Sequence, residues 1–253
     1  MYKEMIDKIS DVGIVKDKLL KESKLKYFIL SMLAGIYVGF GILLIFSIGG
    51  SIGDSPYKKL LMGLSFGIAL SLVIMAGGEL FTGNNMIMTV ASLNKKVKWM
   101  DTFKIWIYSF FGNLAGGILL AWLFVMGGGA KGTVGEFFIK ISAAKMSGSF
   151  TELFFKGILC NMLVCLAIFT SIKLKEETAK LIMIFWCLFA FITSGFEHSV
   201  ANMTILFVGL FIPNGGVLSM SGFLANMIPV TLGNMVGGAV FIGISYWLVG
   251  KDK

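Results

Sequence analysis

Six apolar stretches alternate with short polar segments along the chain, at residues 27–49, 60–94, 104–126, 152–172, 179–212 and 222–249. A helix needs about 20 residues to cross the hydrocarbon core of a bilayer. The pattern therefore predicts an all-α integral membrane protein with six transmembrane helices. The first stretch is too long for the core of a signal peptide and has no small-residue cleavage site before charge returns, so we expect it to remain as a span.

The second and fifth stretches are interrupted by glycines and polar residues. The first break reads AGGELFTGN at 76–84 and the second GFEHSVAN at 195–202, each with a Glu followed five residues later by an Asn. In hydrocarbon an unsatisfied peptide group is costly, so such a break is tolerated only inside protein or along a water-filled cavity. Two matched breaks predict a transport pathway.

The chain also repeats itself. GNLAGG at 112–117 recurs as GNMVGG at 233–238, and Glu197 follows Glu79 at a similar offset. This register divides the channel domain, 26–253, into repeats of three spans at about 26–126 and 152–249. Because three is odd, the second repeat must be inverted, which places a site near the bilayer midplane. The glycines of both motifs are expected to let helices pack closely.

Polar residues within a span are expensive unless they face an interior or a partner. We interpret the Glu and Asn of each break as binding the backbone groups that unwinding frees; direct contact with substrate is the alternative. These residues are Glu79, Asn84, Glu197 and Asn202. Thr82 and His198, the only histidine, are the candidates for chemistry and are expected to face each other. The alternative is a buried histidine bonded only to backbone.

Composition agrees with a membrane protein, with 57% apolar and 14% charged residues and a mean hydropathy of +0.86. All basic residues are lysine: seven lie in 1–26, four in 95–104, three in 173–180 and two in the tail, against five on the opposite side. The lysine-rich side is expected to be cytoplasmic. The protein is therefore expected to lie in the plasma membrane of a prokaryote, with both termini in the cytoplasm. The net charge of +8 is thus a topology signal rather than a sign of nucleic-acid binding.

The remaining chemistry is sparse. One histidine cannot build a bis-histidine haem site or a His-rich zinc site, and the three cysteines lie in apolar spans without CxxC spacing. No nucleotide-binding motif is present. The sequence therefore predicts no metal, no cofactor and no enzymatic activity. A membrane enzyme or haem carrier would need further titratable residues near His198.

Three segments carry a family resemblance: GELFTGN at 78–84, KGILCNMLVCLA at 156–167 and SGFEHSVANM at 194–203. They resemble the formate/nitrite transporter family of pentameric anion channels, whose fold is similar to that of aquaporins, although this chain has no Asn-Pro-Ala motif. The likeness covers nearly the whole chain. It implies a homopentamer with one pore in each protomer.

The resemblance also implies roles for residues. Thr82 would contact His198, with Asn161, Glu197 and Asn202 stabilising the loop of the first break. Two apolar constrictions would flank this pair. Phe66 and Phe191 would form the outer one, and Leu70, Leu80 and Phe81 the inner one. A lysine would stand beside the vestibule; Lys145 best matches the family spacing, and Lys156 is the rival.

The first 25 residues are interpreted as a cytoplasmic amphipathic segment. Its apolar face holds Tyr2, Met5, Ile6 and Ile9 and, after a slip at Gly13, Val15 and Leu19. The family suggests a cap over the pore that responds to pH; anchoring to the membrane lipid surface is the alternative.

These points predict a channel for small monovalent weak-acid anions, which cross with the help of a proton at the Thr82 and His198 site. The whole sequence looks closest to the hydrosulfide branch of the family, with formate and nitrite as related substrates. A proton-coupled symporter of formate or nitrite is the alternative.

Overall fold

The computed structural model describes residues 2–251, and their regular structure is entirely helical. The helices are α1 (Tyr2–Glu22), α2 (Lys24–Ser51), α3 (Lys58–Gly77), α4 (Phe81–Leu93), α5 (Trp99–Met126), α6 (Gly132–Met146), α7 (Phe150–Lys173), α8 (Glu177–Thr193), α9 (Ser199–Phe211) and α10 (Met220–Gly250). Two of them widen into π-helical turns, α3 at Val73–Gly77 and α10 at Val236–Ile244.

Five of these helices, namely α2, α3, α5, α7 and α10, are long and apolar enough to cross a membrane. The segment predicted as the fifth span consists instead of two shorter helices, α8 and α9, of 17 and 13 residues. The segment predicted as the second span is likewise divided, into α3 and α4. The breaks lie at residues 78–80 and 194–198, inside the two polar segments.

Serine side chains start three of the long helices. Ser23 before α2, Ser149 before α7 and Ser219 before α10 each accept a hydrogen bond from a backbone N–H three residues further on. Such caps satisfy one of the N–H groups that have no partner within the helix. The three helices therefore begin at residues that the sequence marks as caps.

The interior is organised around two close helix pairs, α2 with α5 and α7 with α10. A Cβ on Gly35 of α2 would collide with the backbone of Asn113 in α5, and a Cβ on Gly233 of α10 would collide with the Phe154 carbonyl of α7. Glycine at these positions lets the backbones touch. The short helices α4 and α9 lie between the pairs and are buried over almost their whole length.

The N-terminal segment differs in detail from its prediction. Helix α1 runs without interruption, so there is no slip at Gly13, and Val15 is 66% exposed rather than part of the apolar face. Gly13 instead sits against Ala91 of α4, where a Cβ would lie 2.6 Å from the Ala91 Cβ. Helix α6 was not predicted at all, because its sequence is neither long nor apolar enough for a span.

Candidate functional site

The two breaks create the polar centre of the molecule. A glycine in the left-handed region lies at each of them: Gly77, with a φ of +81°, directly precedes the first break, and Gly195, with a φ of +71°, lies within the second. Residues with a Cβ rarely adopt this conformation. After each break a new helix starts, so Thr82 lies in the first turn of α4 and His198 stands immediately before α9.

Thr82 and His198 meet across the two breaks. Thr82 Oγ1 lies 3.0 Å from His198 Nε2, and both side chains are buried. The Ala201 N–H donates to His198 Nδ1 at 3.1 Å, so Nδ1 is an acceptor and carries no proton. The single proton of the neutral ring is therefore on Nε2 and is donated to Thr82 Oγ1. The Thr82 hydroxyl therefore keeps its own hydrogen available for donation to another acceptor.

An apolar cavity adjoins this pair. Its volume is about 10 Å³, and it is lined by Val38, Phe66, Ala69, Leu70, Leu80, Val164, Leu188, Phe191 and His198. The rings of Phe66 and Phe191 meet edge to face, with centroids 5.4 Å apart. Among the described residues that line the cavity, His198 is the one with a polar side chain. The Phe81 ring lies outside this lining and packs edge-on against Phe110 of α5.

The backbone groups freed at the first break are bound by Asn113 of α5. Its Oδ1 accepts the Phe81 N–H at 2.9 Å, and its Nδ2 donates to the carbonyls of Glu79 at 3.0 Å and Ser31 at 2.7 Å. One amide thus supplies an acceptor and two donors to peptide groups that have no helical partner.

Asn234 of α10 does the same at the second break. Its Oδ1 accepts the Ser199 N–H at 2.8 Å, and its Nδ2 donates to the carbonyls of Glu197 at 2.9 Å and Gly157 at 2.8 Å. The interpretation that the Glu and Asn side chains within the breaks bind these groups is therefore wrong. The signal for the true partners was present, since Asn113 and Asn234 are the asparagines of the repeated GN-x-x-GG motif.

Glu79 is bound by three other side chains. Lys16 of α1 reaches both carboxylate oxygens at 2.8 Å, the Tyr27 hydroxyl donates to one of them at 2.8 Å, and Asn84 Nδ2 donates at 3.3 Å. The sequence analysis did not identify Lys16 or Tyr27 as partners of Glu79. Lys16 is one of seven lysines near the N-terminus, and no local pattern distinguishes it.

Glu197 has a matching set of partners. Lys145 of α6 reaches both carboxylate oxygens at 2.8 Å, and Asn202 Nδ2 donates at 2.6 Å. Asn226 of α10 completes the set, accepting from Asn202 and donating to the Lys145 carbonyl. Lys145 and Lys16 are thus equivalent in the two halves, whereas Lys156 pairs with the exposed Glu152.

Asn161 of α7 joins the two halves. Its Nδ2 lies within hydrogen-bond distance of the Thr82 carbonyl, at 3.1 Å, and of the Asn234 carbonyl, at 2.6 Å. It also lies 3.2 Å from Asn85 Oδ1. This side chain is fully buried. Asn161 therefore holds the first turn of α4, with Thr82, to the second half.

A wide cavity opens beside α6, on the side of the molecule opposite α1. Its volume is about 460 Å³, and it reaches from exposed lysines down to His198. We call it the α6 vestibule; its charged lining residues are Lys58, Lys59, Lys145, Glu152, Lys156 and Glu197. Within residues 2–251 no group of three or more His, Cys, Asp or Glu side chains is arranged to hold a metal ion.

Comparison with known proteins decides the family. The family model described as formate/nitrite transporter matches residues 3–248. The chain belongs to the formate/nitrite transporter family. Its relatives are named as transporters and channels, so the protein is a membrane transport protein and not an enzyme.

Individual members of the formate/nitrite transporter family agree with this assignment. The nitrite transporter NirC of Salmonella typhimurium is 41% identical, over 98% of this chain and 91% of its own. A solved structure titled FNT family ion channel is 40% identical, with a TM-score of 0.93 over 97% of this chain and 98% of its own. A pentameric formate channel with formate bound is 33% identical, with a TM-score of 0.81 over 90% of this chain and 98% of its own.

Proposed function

We propose that this protein is a channel for small monovalent weak-acid anions. The observation that carries the proposal is the buried hydrogen bond between Thr82 and His198, which lies next to an apolar cavity and is approached from the α6 vestibule. Hydrogen-bond donors that face an otherwise apolar path would select a small polar solute. The family membership supports the same class of substrate.

The two breaks are proposed to lie at the midplane of a six-span, aquaporin-like fold. In this arrangement α3 with α4 and α8 with α9 serve as the second and fifth spans. The matched partners of Glu79 and Glu197, and of Asn113 and Asn234, support two inverted repeats. The lysine distribution supports a cytoplasmic location of α1, so the α6 vestibule is proposed to face outward.

Two apolar constrictions are proposed to reject bare charge. Phe66 and Phe191 would form the outer one and Leu70 and Leu80 the inner one, with Phe81 supporting it from behind. Moving a carboxylate-sized ion into a medium of dielectric constant near 4 costs on the order of 20 kcal/mol in the idealised limit. We infer that the anion crosses with a proton.

The hydrogen-bond directions support the proposal that this proton comes from the solvent. The neutral His198 ring already donates its Nε2 proton to Thr82 and accepts from Ala201 at Nδ1, so giving up that proton would leave an imidazolate. Taking a second proton on Nδ1 would bring it against the Ala201 N–H. His198 is therefore proposed to fix the Thr82 hydroxyl as a donor, which holds the anion while a hydronium ion from the bulk solvent transfers a proton to it and becomes water.

Lysine side chains supply the attraction for the anion. Lys145 is proposed as the vestibule lysine, because it lies deep in the cavity on Glu197, with Lys156 nearer the rim. Glu197 balances the charge of Lys145, so the excess positive charge comes from the vestibule lining as a whole, in which the described residues include four lysines and two glutamates. A positively charged cleft raises the local concentration of anions.

Hydrosulfide is proposed as the principal substrate, with formate and nitrite also carried. This choice rests on the resemblance of the whole sequence to the hydrosulfide branch of the family. The named relatives carry nitrite or bind formate. A proton-coupled symporter of formate or nitrite is the second candidate, since the same site could couple proton and anion stoichiometrically. The protein is proposed to act as a homopentamer in a prokaryotic plasma membrane.

Reconstitution into liposomes tests the proposal. Influx of hydrosulfide, formate, nitrite and chloride would be followed at two pH values, with glycerol as a neutral control. The expected result is flux of the weak-acid anions that increases at the lower pH, with hydrosulfide fastest and no flux of glycerol. Flux of chloride or glycerol at the same rate would overturn the proposal, and accumulation of anion against its gradient would replace the channel by a symporter.

A further inference from the structure

The α6 vestibule is much larger than the anions that are proposed to pass through it. Its volume of about 460 Å³ falls in the range of pockets that hold drug-sized ligands, about 300–1,000 Å³. The central cavity, which Phe66 and Phe191 help to line, has a volume of only about 10 Å³. A ligand that fills the vestibule would therefore stop at these two rings.

Most of the described lining of the vestibule is apolar. It includes four aromatic rings, those of Phe46, Phe137, Phe191 and Phe196. The Phe46 and Phe137 rings lie against each other with centroids 5.2 Å apart, and we call this pair the aromatic wall. An apolar group that packs on such a surface is removed from water, which is favourable. The vestibule therefore suits a ligand that has an apolar part.

Two of the four lysines in the described lining already bind carboxylates. Lys145 pairs with Glu197 at 2.8 Å, and Lys156 pairs with Glu152. Both glutamates belong to the same lining. These two lysines are therefore less available to a further anion.

The other two lysines, Lys58 and Lys59, lie side by side in the first turn of α3. Lys58 reaches Asp54 only at 3.7 Å, and the Asp54 side chain is 95% exposed, so water screens this pair. Within residues 2–251 no carboxylate pairs with Lys59, which is exposed. The described lining includes no residue of α1 or α10, the helices at the two described ends of the chain. Positive charge is therefore available to a ligand on the side of the vestibule that α3 forms.

Lys58 connects this charged side to the aromatic wall. Its ammonium group lies 4.9 Å from the centroid of the Phe137 ring. A carboxylate that binds the Lys58 ammonium would therefore have its apolar part beside Phe137. A compact molecule with one carboxylate and one aromatic ring, an arylalkanoate, combines both groups at this short separation.

We propose that the α6 vestibule binds arylalkanoate anions, with the carboxylate on Lys58 and Lys59 and the ring on the aromatic wall. Such a ligand is too large for the central cavity, so it stays in the vestibule and blocks the entry of small anions. The block rests on the proposed channel function, whereas the binding does not.

The test uses phenylacetate as the probe and its neutral amide, phenylacetamide, as the matched control ligand. Isothermal titration calorimetry would measure binding to the full-length protein in a non-ionic detergent, with detergent alone as the blank. Formate flux would be followed in liposomes that hold the same phenylacetate concentration on both sides. The variant K58Q/K59Q removes the two lysines, and K131Q/K140Q removes the same charge from exposed lysines outside the described lining.

Phenylacetate is expected to bind the wild type and K131Q/K140Q with the same affinity. Its affinity for K58Q/K59Q should be about ten-fold lower, because charge-assisted hydrogen bonds to the carboxylate are lost. Phenylacetamide should bind the wild type about ten-fold more weakly than phenylacetate for the same reason. Formate flux through the wild type should fall by half at a phenylacetate concentration near the Kd.

The outcomes separate the site from the channel function. No binding by the wild type, equal losses of affinity in the two double variants, or equal binding of the acid and the amide would overturn the site, even with normal formate flux. Formate flux that saturating phenylacetate leaves unchanged would overturn the block. Binding with the expected variant effects, but without formate flux in any sample, would support the site and contradict the channel.

Discussion

At the scale of single residues, asparagine side chains bind the peptide groups at the two helix breaks and so stabilise these breaks inside an apolar protein. Asn113 and Asn234 each bind one N–H and two carbonyls, and Asn161 ties the first turn of α4 to α7 and α10. An amide is suited to this because it offers both donors and an acceptor without a charge to bury. The carboxylates of Glu79 and Glu197 are left free to bind lysines.

The contribution of the Asn234 hydrogen bonds to stability can be measured. Asn234→Ala should leave one N–H and two carbonyls unpaired, at about 1–3 kcal/mol each, so the melting temperature in detergent should fall by about 10 °C or more. Asn94→Ala, near the surface, is the control and should change the melting temperature little. A similar small shift for both variants would show that water or other groups replace the Asn234 contacts.

The Thr82 hydroxyl can be removed without changing the shape of the side chain. Thr82→Val should lower anion flux about 10- to 100-fold, because the donor proposed to hold the anion is lost and the His198 N–H has no acceptor. Thr82→Ser, which keeps the hydroxyl, should restore most of the flux. Wild-type conduction by the valine variant, with an unchanged melting temperature, would contradict the proposed role.

At the scale of elements, α1 is held to the channel at several points along its length. Gly13 contacts Ala91, Lys16 binds Glu79, and Lys21 reaches Asp101 at the start of α5 at 3.0 Å. These contacts tie α1 to the break between α3 and α4. The position of α1 and the geometry of the polar centre are therefore connected.

The close contact at Gly13 provides a test of this docking. Gly13→Leu should push α1 away from α4, since even a Cβ would lie 2.6 Å from the Ala91 Cβ. Cleavage by trypsin after Lys16 and Lys18 should become about ten-fold faster, for a loss of about 1.4 kcal/mol of docking free energy. Val15→Leu changes an exposed position of the same helix and should leave cleavage unchanged. Equal protection in both variants would show that Gly13 is not a docking contact.

The dependence of α1 docking on pH follows from Lys21. Hydrogen bonds to Asp17 and Asp101 raise the pKa of Lys21 above its ordinary value of 10.5. A raised lysine pKa gives a contribution that is complete below pH 10.5 and disappears only as the pH rises through the folded pKa. The Lys21 interaction with Asp101 should therefore stabilise the docking of α1 equally between about pH 6 and 9. Lys21→Gln should change protease protection equally at both pH values; a difference confined to one of them would contradict this.

At the scale of the whole molecule, charge is divided between two faces. The face with α1 and Lys251 carries most of the lysines, and the opposite face opens into the α6 vestibule. The excess of lysine predicts that the first face is cytoplasmic. The described ends of the chain lie together on this face, because Gly250 packs against Tyr2 and Ile6.

Cysteine labelling in cells tests this orientation. The three native cysteines are buried, so a membrane-impermeant maleimide should react only with introduced thiols. Asp54→Cys, between α2 and α3, should react in intact cells, whereas Lys96→Cys, between α4 and α5, should react only after permeabilisation. The reverse pattern would invert the proposed topology.

The sequence by itself determined the class of protein and much of its plan. Apolar runs of membrane length have few alternatives to helices, and polar residues within them are tolerated only at a purpose-built centre. The sequence or its family resemblance therefore predicts the two breaks, the repeated motif and the contact between Thr82 and His198. The role of Asn113 and Asn234 was not predicted, because GN-x-x-GG was interpreted only as a packing motif.

Tertiary structure alone decided which residues meet across the fold. Lys16 lies 63 positions from Glu79, Asn226 lies 24 from Asn202, and Asn161 lies 79 from Thr82. Local patterns set which face of a helix is apolar, but the approach of one helix to another depends on how all of them pack together. Helix α6, which brings Lys145 to Glu197, likewise takes its place from its neighbours rather than from its own hydropathy.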